Sequence, residues 1–154
     1  MSEHRATIRW QCSSSEFIQG RYSREHTWCF DGGVVVPASA SPAAVPVPWS
    51  NAAHVDPEEA YVAAVSSCHM LTFLYLAAKA GFEVDSYEDP AIGAMTENPR
   101  GTAWVSTVTL QPAIRYRGSK RPDPAAEARL HHEAHEQCFI AQSIKTQVIV
   151  RAQA

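Results

Sequence analysis

Cys68 and Cys138 are the residues of this 154-residue chain best suited to chemistry. Cys68 falls in Ala63-Ala64-Val65-Ser66-Ser67-Cys68-His69-Met70-Leu71, and Cys138 closes a histidine-rich run and precedes Phe139-Ile140. They lie 70 residues apart, so neither a CxxC redox turn nor a compact zinc ribbon accounts for both. A fold that brings the two sulfurs together makes a thiol site with a built-in resolving partner, because an oxidised thiol condenses with a neighbouring one to a disulfide.

Cys138 shares a helical face with His131 and His135, at offsets of seven and three residues. Three readings stay open. The thiol is tuned by an imidazole; or His131, His135 and Cys138 hold a transition metal, with Cys68 or His69 as a fourth ligand; or His131, His132 and His135 form a solvated face beside Glu133 and Glu136. Cys12 and Cys29 fall in expected strands and read as small buried or edge residues.

The elements that carry these residues follow from pattern. Asp56-Pro57-Glu58-Glu59 opens a helix: Asp56 suits the N-cap, Pro57 the first helical position, and Glu59 reaches back to the cap amide. It runs to Lys79, with Gly81 as the stop. Its apolar residues lie nearly all round, which predicts a central, buried helix. Cys68 stands eleven residues after Pro57. The helix dipole fades within the first turn, so it cannot activate this thiol. Burial alone raises a thiol pKa, so a reactive Cys68 needs a cation from elsewhere, and arginine stays charged when desolvated.

Ala6 to Gln11 alternates as a first strand. Thr27–Phe30 and Val34–Val36 flank Asp31-Gly32-Gly33 as a hairpin. Residues 37–49 hold four prolines and read as an extended loop, apolar enough at Val45, Val47 and Trp49 to pack on something. Phe82–Met95 and Ala103–Arg117 hold two or three strands, Pro122-Asp123-Pro124 starts a second helix, and Thr146–Arg151 closes. This order predicts an α+β fold with an antiparallel sheet, in a single domain over residues 1–154.

Hydrophobic content of 45% with 19% charged residues suits a globular chain. A net charge of −3 makes no electrostatic case for nucleic acid or an anionic membrane. The apolar stretch from Tyr61 to Ala78 is broken by Ser, Cys, His and Thr and reads as a core helix rather than a span. No secretory signal is evident at the N-terminus, and four cysteines then suggest reduced thiols in a cytoplasmic protein.

Asp56-Pro57-Glu58-Glu59-Ala60-Tyr61 leading into Ser66-Ser67-Cys68, Ala134-His135-Glu136-Gln137-Cys138, and Arg24 seven residues before Asp31-Gly32 together resemble the OsmC/Ohr family, the osmotically induced and organic-hydroperoxide-resistance proteins. The resemblance implies a thiol-dependent peroxidase. Cys68 would be the peroxidatic thiolate, Cys138 the resolving thiol, Arg24 the cation holding the thiolate, and Glu58 the carboxylate holding Arg24. Arg21 is a rival for Arg24. The family further implies an intertwined homodimer, an organic hydroperoxide substrate, a dithiol reductant of lipoyl or other type, and no cofactor. An apolar setting of Trp49, Tyr61, Val65, Phe73 and Phe139 would suit organic substrates. One departure is Phe139, where well-known branches place a proline after the second cysteine. The alternative is a non-catalytic dimer that binds a metal or a small apolar ligand.

Overall fold

The computed structural model describes residues 2–152. The chain divides into two compact units, one up to Ala60 and one from Tyr61.

In the first unit, β1 (Ala6–Arg9) pairs antiparallel with β2 (His26–Phe30), and β2 with β3 (Val35–Ala38). The expected hairpin forms: Phe30 N–H donates to Val34 O at 2.9 Å, and Gly33, at φ +86°, donates to Phe30 O at 3.0 Å. Glycine takes that backbone angle without the Cβ clash of other residues. β3 reaches two residues past the expected end and includes Pro37, tolerated because β3 is an edge strand of this sheet. β1 ends two residues short of Gln11, and Cys12 is exposed in a loop rather than set in a strand. The proline-rich segment packs back on its own unit. Ser39 N–H donates to Val55 O, and Asn51 N–H to Ser39 Oγ, both at 3.0 Å.

α1 (Pro57–Lys79) starts as its sequence dictates. Glu59 N–H donates to Asp56 Oδ1 at 2.7 Å while Asp56 N–H donates to Glu59 Oε2 at 3.1 Å, a complete capping box. It stops at Gly81 (φ +79°), where Phe82 N–H reaches Ala77 O at 2.9 Å. The expectation of burial all round is corrected. Val65, His69, Phe73, Leu76 and Ala77 form one buried stripe, while Leu71 and Tyr75 are 63% and 62% exposed. By length and composition α1 is also apolar enough to cross a membrane.

The second unit holds four strands where two or three were expected before the second helix. β4 (Glu83–Glu88) pairs antiparallel with β7 (Ala113–Arg117), and β5 (Ile92–Glu97) with β6 (Ala103–Leu110). β8 (Gln147–Val150) joins β6 in parallel, so this second sheet is mixed rather than purely antiparallel. α2 (Pro124–Gln137) begins with Asp123 accepting from Ala126 N–H at 2.7 Å. Phe73, Leu76 and Ala77 of α1 pack with Leu130 and Ala134 of α2. Val65 packs with Val108 and Leu110 of β6. A Cβ at Gly93 would stand 2.5 Å from Val62 Cγ2, so only glycine lets α1 approach β5 this closely. The result is an α+β protein of two helices and small, mainly antiparallel sheets.

Candidate functional site

α1 delivers Cys68 and α2 delivers Cys138, and the packing of these helices in the second unit sets the geometry. Asp89 anchors the α1 side. Its carboxylate accepts from Ser66 Oγ at 2.5 Å and from Gln111 N–H at 2.6 Å, tying α1 to the strand connections two residues before Cys68. Cys138 is the C-cap of α2, its N–H donating to His135 O, and its Sγ accepts from Ala141 N–H at 3.4 Å.

The two side chains come close enough for Cys68 to raise the Cys138 thiol, and both are free thiols. Their environments differ. Cys68 is half-buried, whereas Cys138 is 1% exposed. Burial, then the contact with Cys68, pushes the Cys138 thiol up to about 11, so it keeps its proton at neutral pH. A protonated Cys138 can donate to a thiolate beside it and wait as the resolving thiol.

Arg24 and Glu58 both belong to the first unit. The Arg24 Nη1 donates to Gly20 O at 2.9 Å and Tyr22 O at 2.5 Å, and its guanidinium lies 3.7 Å from the Tyr22 ring centroid. Glu58 is half-buried in the first turn of α1. Among the described residues no carboxylate lies within ion-pair distance of Arg24, so its bond to Glu58 is not made in this chain. The rival Arg21 is engaged elsewhere, 3.0 Å from Glu16 on the surface. Of the two arginines, Arg24 is the half-buried one free of a carboxylate.

Arg24 also lines a cleft of about 430 Å³ with Ile8, Trp10, Phe17, Tyr22 and His26. Phe17 and Tyr22 stand 4.5 Å apart, and Trp10 is held by its Nε1–H donating to Ser23 O at 2.9 Å. The apolar setting proposed from sequence is partly different. Val65 and Phe73 are core, Tyr61 bonds Thr146 through its hydroxyl, and Phe139 is 83% exposed. The aromatic cup escaped sequence reading, although Ile8 and Trp10 share one strand face by their spacing of two.

The histidine run is not a wholly solvated face. His131 is 5% exposed, half-buried His135 follows one turn on, and only His132 of the three faces solvent freely. His131 Nδ1 lies 3.0 Å from His69 Nε2. Among the described residues no three His, Cys, Asp or Glu side chains converge as metal ligands would. The signal for this pair was present in sequence: His69 sits on the Val65–His69–Phe73 stripe that α1 buries.

Comparisons with known proteins bear on the whole assembly. The chain matches a solved OsmC-like protein of unknown function from Vibrio cholerae at 49% identity, covering 99% of this chain and 100% of that one, with a TM-score of 0.95. It shares its fold with an organic hydroperoxide resistance protein from Elizabethkingia anophelis, at 15% identity, 99% and 94% coverage, and a TM-score of 0.72. The corresponding Legionella pneumophila protein gives 14% identity, 99% and 96% coverage, and a TM-score of 0.70. Comparison with curated proteins gives no match. The OsmC-like protein model matches residues 50–153, a stretch that takes in Glu58, Cys68 and Cys138, and the chain belongs to that family.

Proposed function

We propose that this protein is a thiol-dependent peroxidase that reduces organic hydroperoxides, acting as an intertwined cytoplasmic homodimer. The contact between half-buried Cys68 and buried Cys138 carries the reading. Family membership and the fold shared with hydroperoxide-resistance proteins support it.

The Cys68 thiolate attacks one peroxide oxygen, breaking the O–O bond. Sulfur is oxidised to sulfenic acid, and the other oxygen leaves as an alkoxide that takes a proton to become an alcohol. Arg24 supplies the positive charge that populates the thiolate and stabilises the developing alkoxide, and Glu58 holds Arg24 in a bidentate pair. In the free chain Arg24 rests on carbonyls and the Tyr22 ring, so this role asks it to exchange partners. The Cys138 thiol then condenses with the sulfenic acid, forming the S–S bond and releasing water. An external dithiol, of lipoyl or other type, restores both thiols by exchange and is itself oxidised to a disulfide.

The test is stoichiometric tert-butyl hydroperoxide. It should consume one pair of free thiols per chain, and Cys68→Ser should abolish turnover. Cys138→Ser should leave a sulfenic acid that dimedone traps. Retained turnover in the Cys68 variant ends the proposal. Arg24→Ala should lower the rate far more than Arg21→Ala; equal losses would remove Arg24 from its role. The alternative, a non-catalytic dimer binding a small apolar molecule in the Arg24 cleft, is favoured if Cys68 alkylates no faster than a model thiol near pH 7.

A further inference from the structure

The thiol chemistry leaves unused a second polar pair that also joins α1 to α2. His69 and His131 are 1% and 5% exposed. Their rings are within 9° of parallel with centroids 5.4 Å apart, which with the 3.0 Å nitrogen contact describes two rings meeting edge to edge. Phe73 covers a face of His131 at 4.4 Å between centroids, so the ring is held on one face and one edge. Among the described residues the outer nitrogens, His69 Nδ1 and His131 Nε2, have no hydrogen-bond partner, nor has His135 Nδ1 one turn on. Buried polar atoms nearly always find partners.

Proton counting constrains what His131 can accept. Burial holds both imidazoles neutral, each depressed to about 4. Two neutral rings share two N–H protons, and one lies in the bond between them. If His69 donates, His131 Nε2 carries the other proton. If His131 donates, its Nε2 is a bare acceptor. Passing from one state to the other moves the shared proton across the bond while one outer nitrogen gives up a proton and the other takes one up by exchange with solvent, so His131 presents a donor in one state and an acceptor in the other.

His131 lines a cleft of about 400 Å³ with Ala128, His132, His135, Val148, Val150 and Ala152. That volume suits a small organic molecule. Its walls are methyl groups and imidazoles, and among the described residues no Lys, Arg, Asp or Glu lines it. A carboxylate or phosphate would enter without a counter-charge, at a large desolvation cost. A pure hydrocarbon would leave His131 unmet. A hydroxyl group, which both donates and accepts, satisfies either state of the pair.

We propose that this α2–β8 cleft binds a small uncharged organic molecule ending in a hydroxyl group, with the hydrocarbon against Val148, Val150 and Ala128 and the hydroxyl on His131 Nε2, a covered nitrogen that a small turn of the His131 ring opens to the cleft. The site is independent of the thiol chemistry. Cyclohexanol serves as the probe, titrated into the full chain at pH 7 while the imidazole nitrogens are followed by long-range ¹⁵N–¹H correlation. Saturable shifts are expected at His131, passed on to His69, with His26 and His54 unmoved. Ala128→Phe fills the cleft from an exposed helix position without touching the pair, and should weaken binding by about tenfold or more. His131→Phe keeps a ring against Phe73 but removes both nitrogens, and should lose saturable binding in a chain whose circular dichroism is unchanged. Absence of a saturable shift, an equal response to butyrate, or binding unaffected by Ala128→Phe overturns the proposal.

Discussion

Two side-chain pairs bridge the same two helices: Cys68 with Cys138, and His69 with His131. Their α1 members are neighbours in sequence, yet the pairs are built for opposite behaviour. Burial pushes toward the neutral form in both cases, which means upward for the Cys138 thiol and downward for the imidazoles. In the thiol pair one member is half-buried and reachable from solvent. In the imidazole pair both members are buried. An asymmetric pair can start chemistry from its exposed member and finish it with its protected one, whereas two buried neutral imidazoles offer polar contacts and no nucleophile. The hundred-degree step between successive helix residues is enough to separate these fates.

The largest effect should appear in accessibility. With iodoacetamide near pH 7, Cys68 is expected to react orders of magnitude faster than Cys138, which mass spectrometry of digested protein resolves. Comparable rates would erase the asymmetry on which the peroxidase proposal rests.

Acid should next strain the imidazole pair. His69 and His131 sit near 4 in the folded chain against 6.5 in an exposed one, burial being the main cause for both and the neighbouring His131 and His135 adding to the effect at His69. Between those values the unfolded chain binds protons that the folded chain refuses. Stability is therefore full above about pH 6.5 and falls as pH drops toward 4, by about 2–3 kcal/mol per imidazole. Urea denaturation across pH 4–7 measures this slope. Replacing both residues with phenylalanine should flatten it, and an unchanged slope would place the acid sensitivity elsewhere.

Breaking the imidazole pair from one side should cost about 1–3 kcal/mol at pH 7, because one more buried nitrogen loses its partner. A double-mutant cycle of His69→Phe and His131→Phe should be markedly non-additive. Additive losses would show that the 3.0 Å contact contributes little. Cys138→Ala removes a smaller buried group and should cost less, about 1 kcal/mol.

The smallest shift should come from Asp56→Ala, which removes half of the capping box and about 1 kcal/mol. Because α1 carries one member of each pair, thermal melts and Cys68 alkylation should respond together. A melt shift without any change in alkylation would separate helix stability from thiol placement.

Local signals were legible wherever the chemistry is short-ranged. Asp56, Pro57 and Glu59 state the start of α1, Gly81 its end, and Asp123 the start of α2, since caps are satisfied within one turn. The turn at Asp31-Gly32-Gly33 announced its hairpin for the same reason. The parallel placement of β8 beside β6 was not legible, because alternation within a strand says which side is apolar but not which neighbour it meets. Nor was the exposure of Leu71 and Tyr75. Apolar residues all round a helix ask for cover, and the sequence does not say which surface provides it.

The sequence by itself settled that this chain is an α+β protein of the OsmC-like family, with Cys68 deep in a capped helix and beyond the reach of its dipole. Residue type, spacing and capping are properties of neighbours along the chain. Tertiary structure alone decided that Cys68 meets Cys138, that His131 turns inward to His69 rather than out to solvent, and that Arg24 rather than Arg21 is free of a carboxylate. Those outcomes depend on contacts across some 60 to 70 residues for the two pairs, and on which carboxylate each arginine meets in space. Burial and partner choice at that range come from how helices and strands pack together.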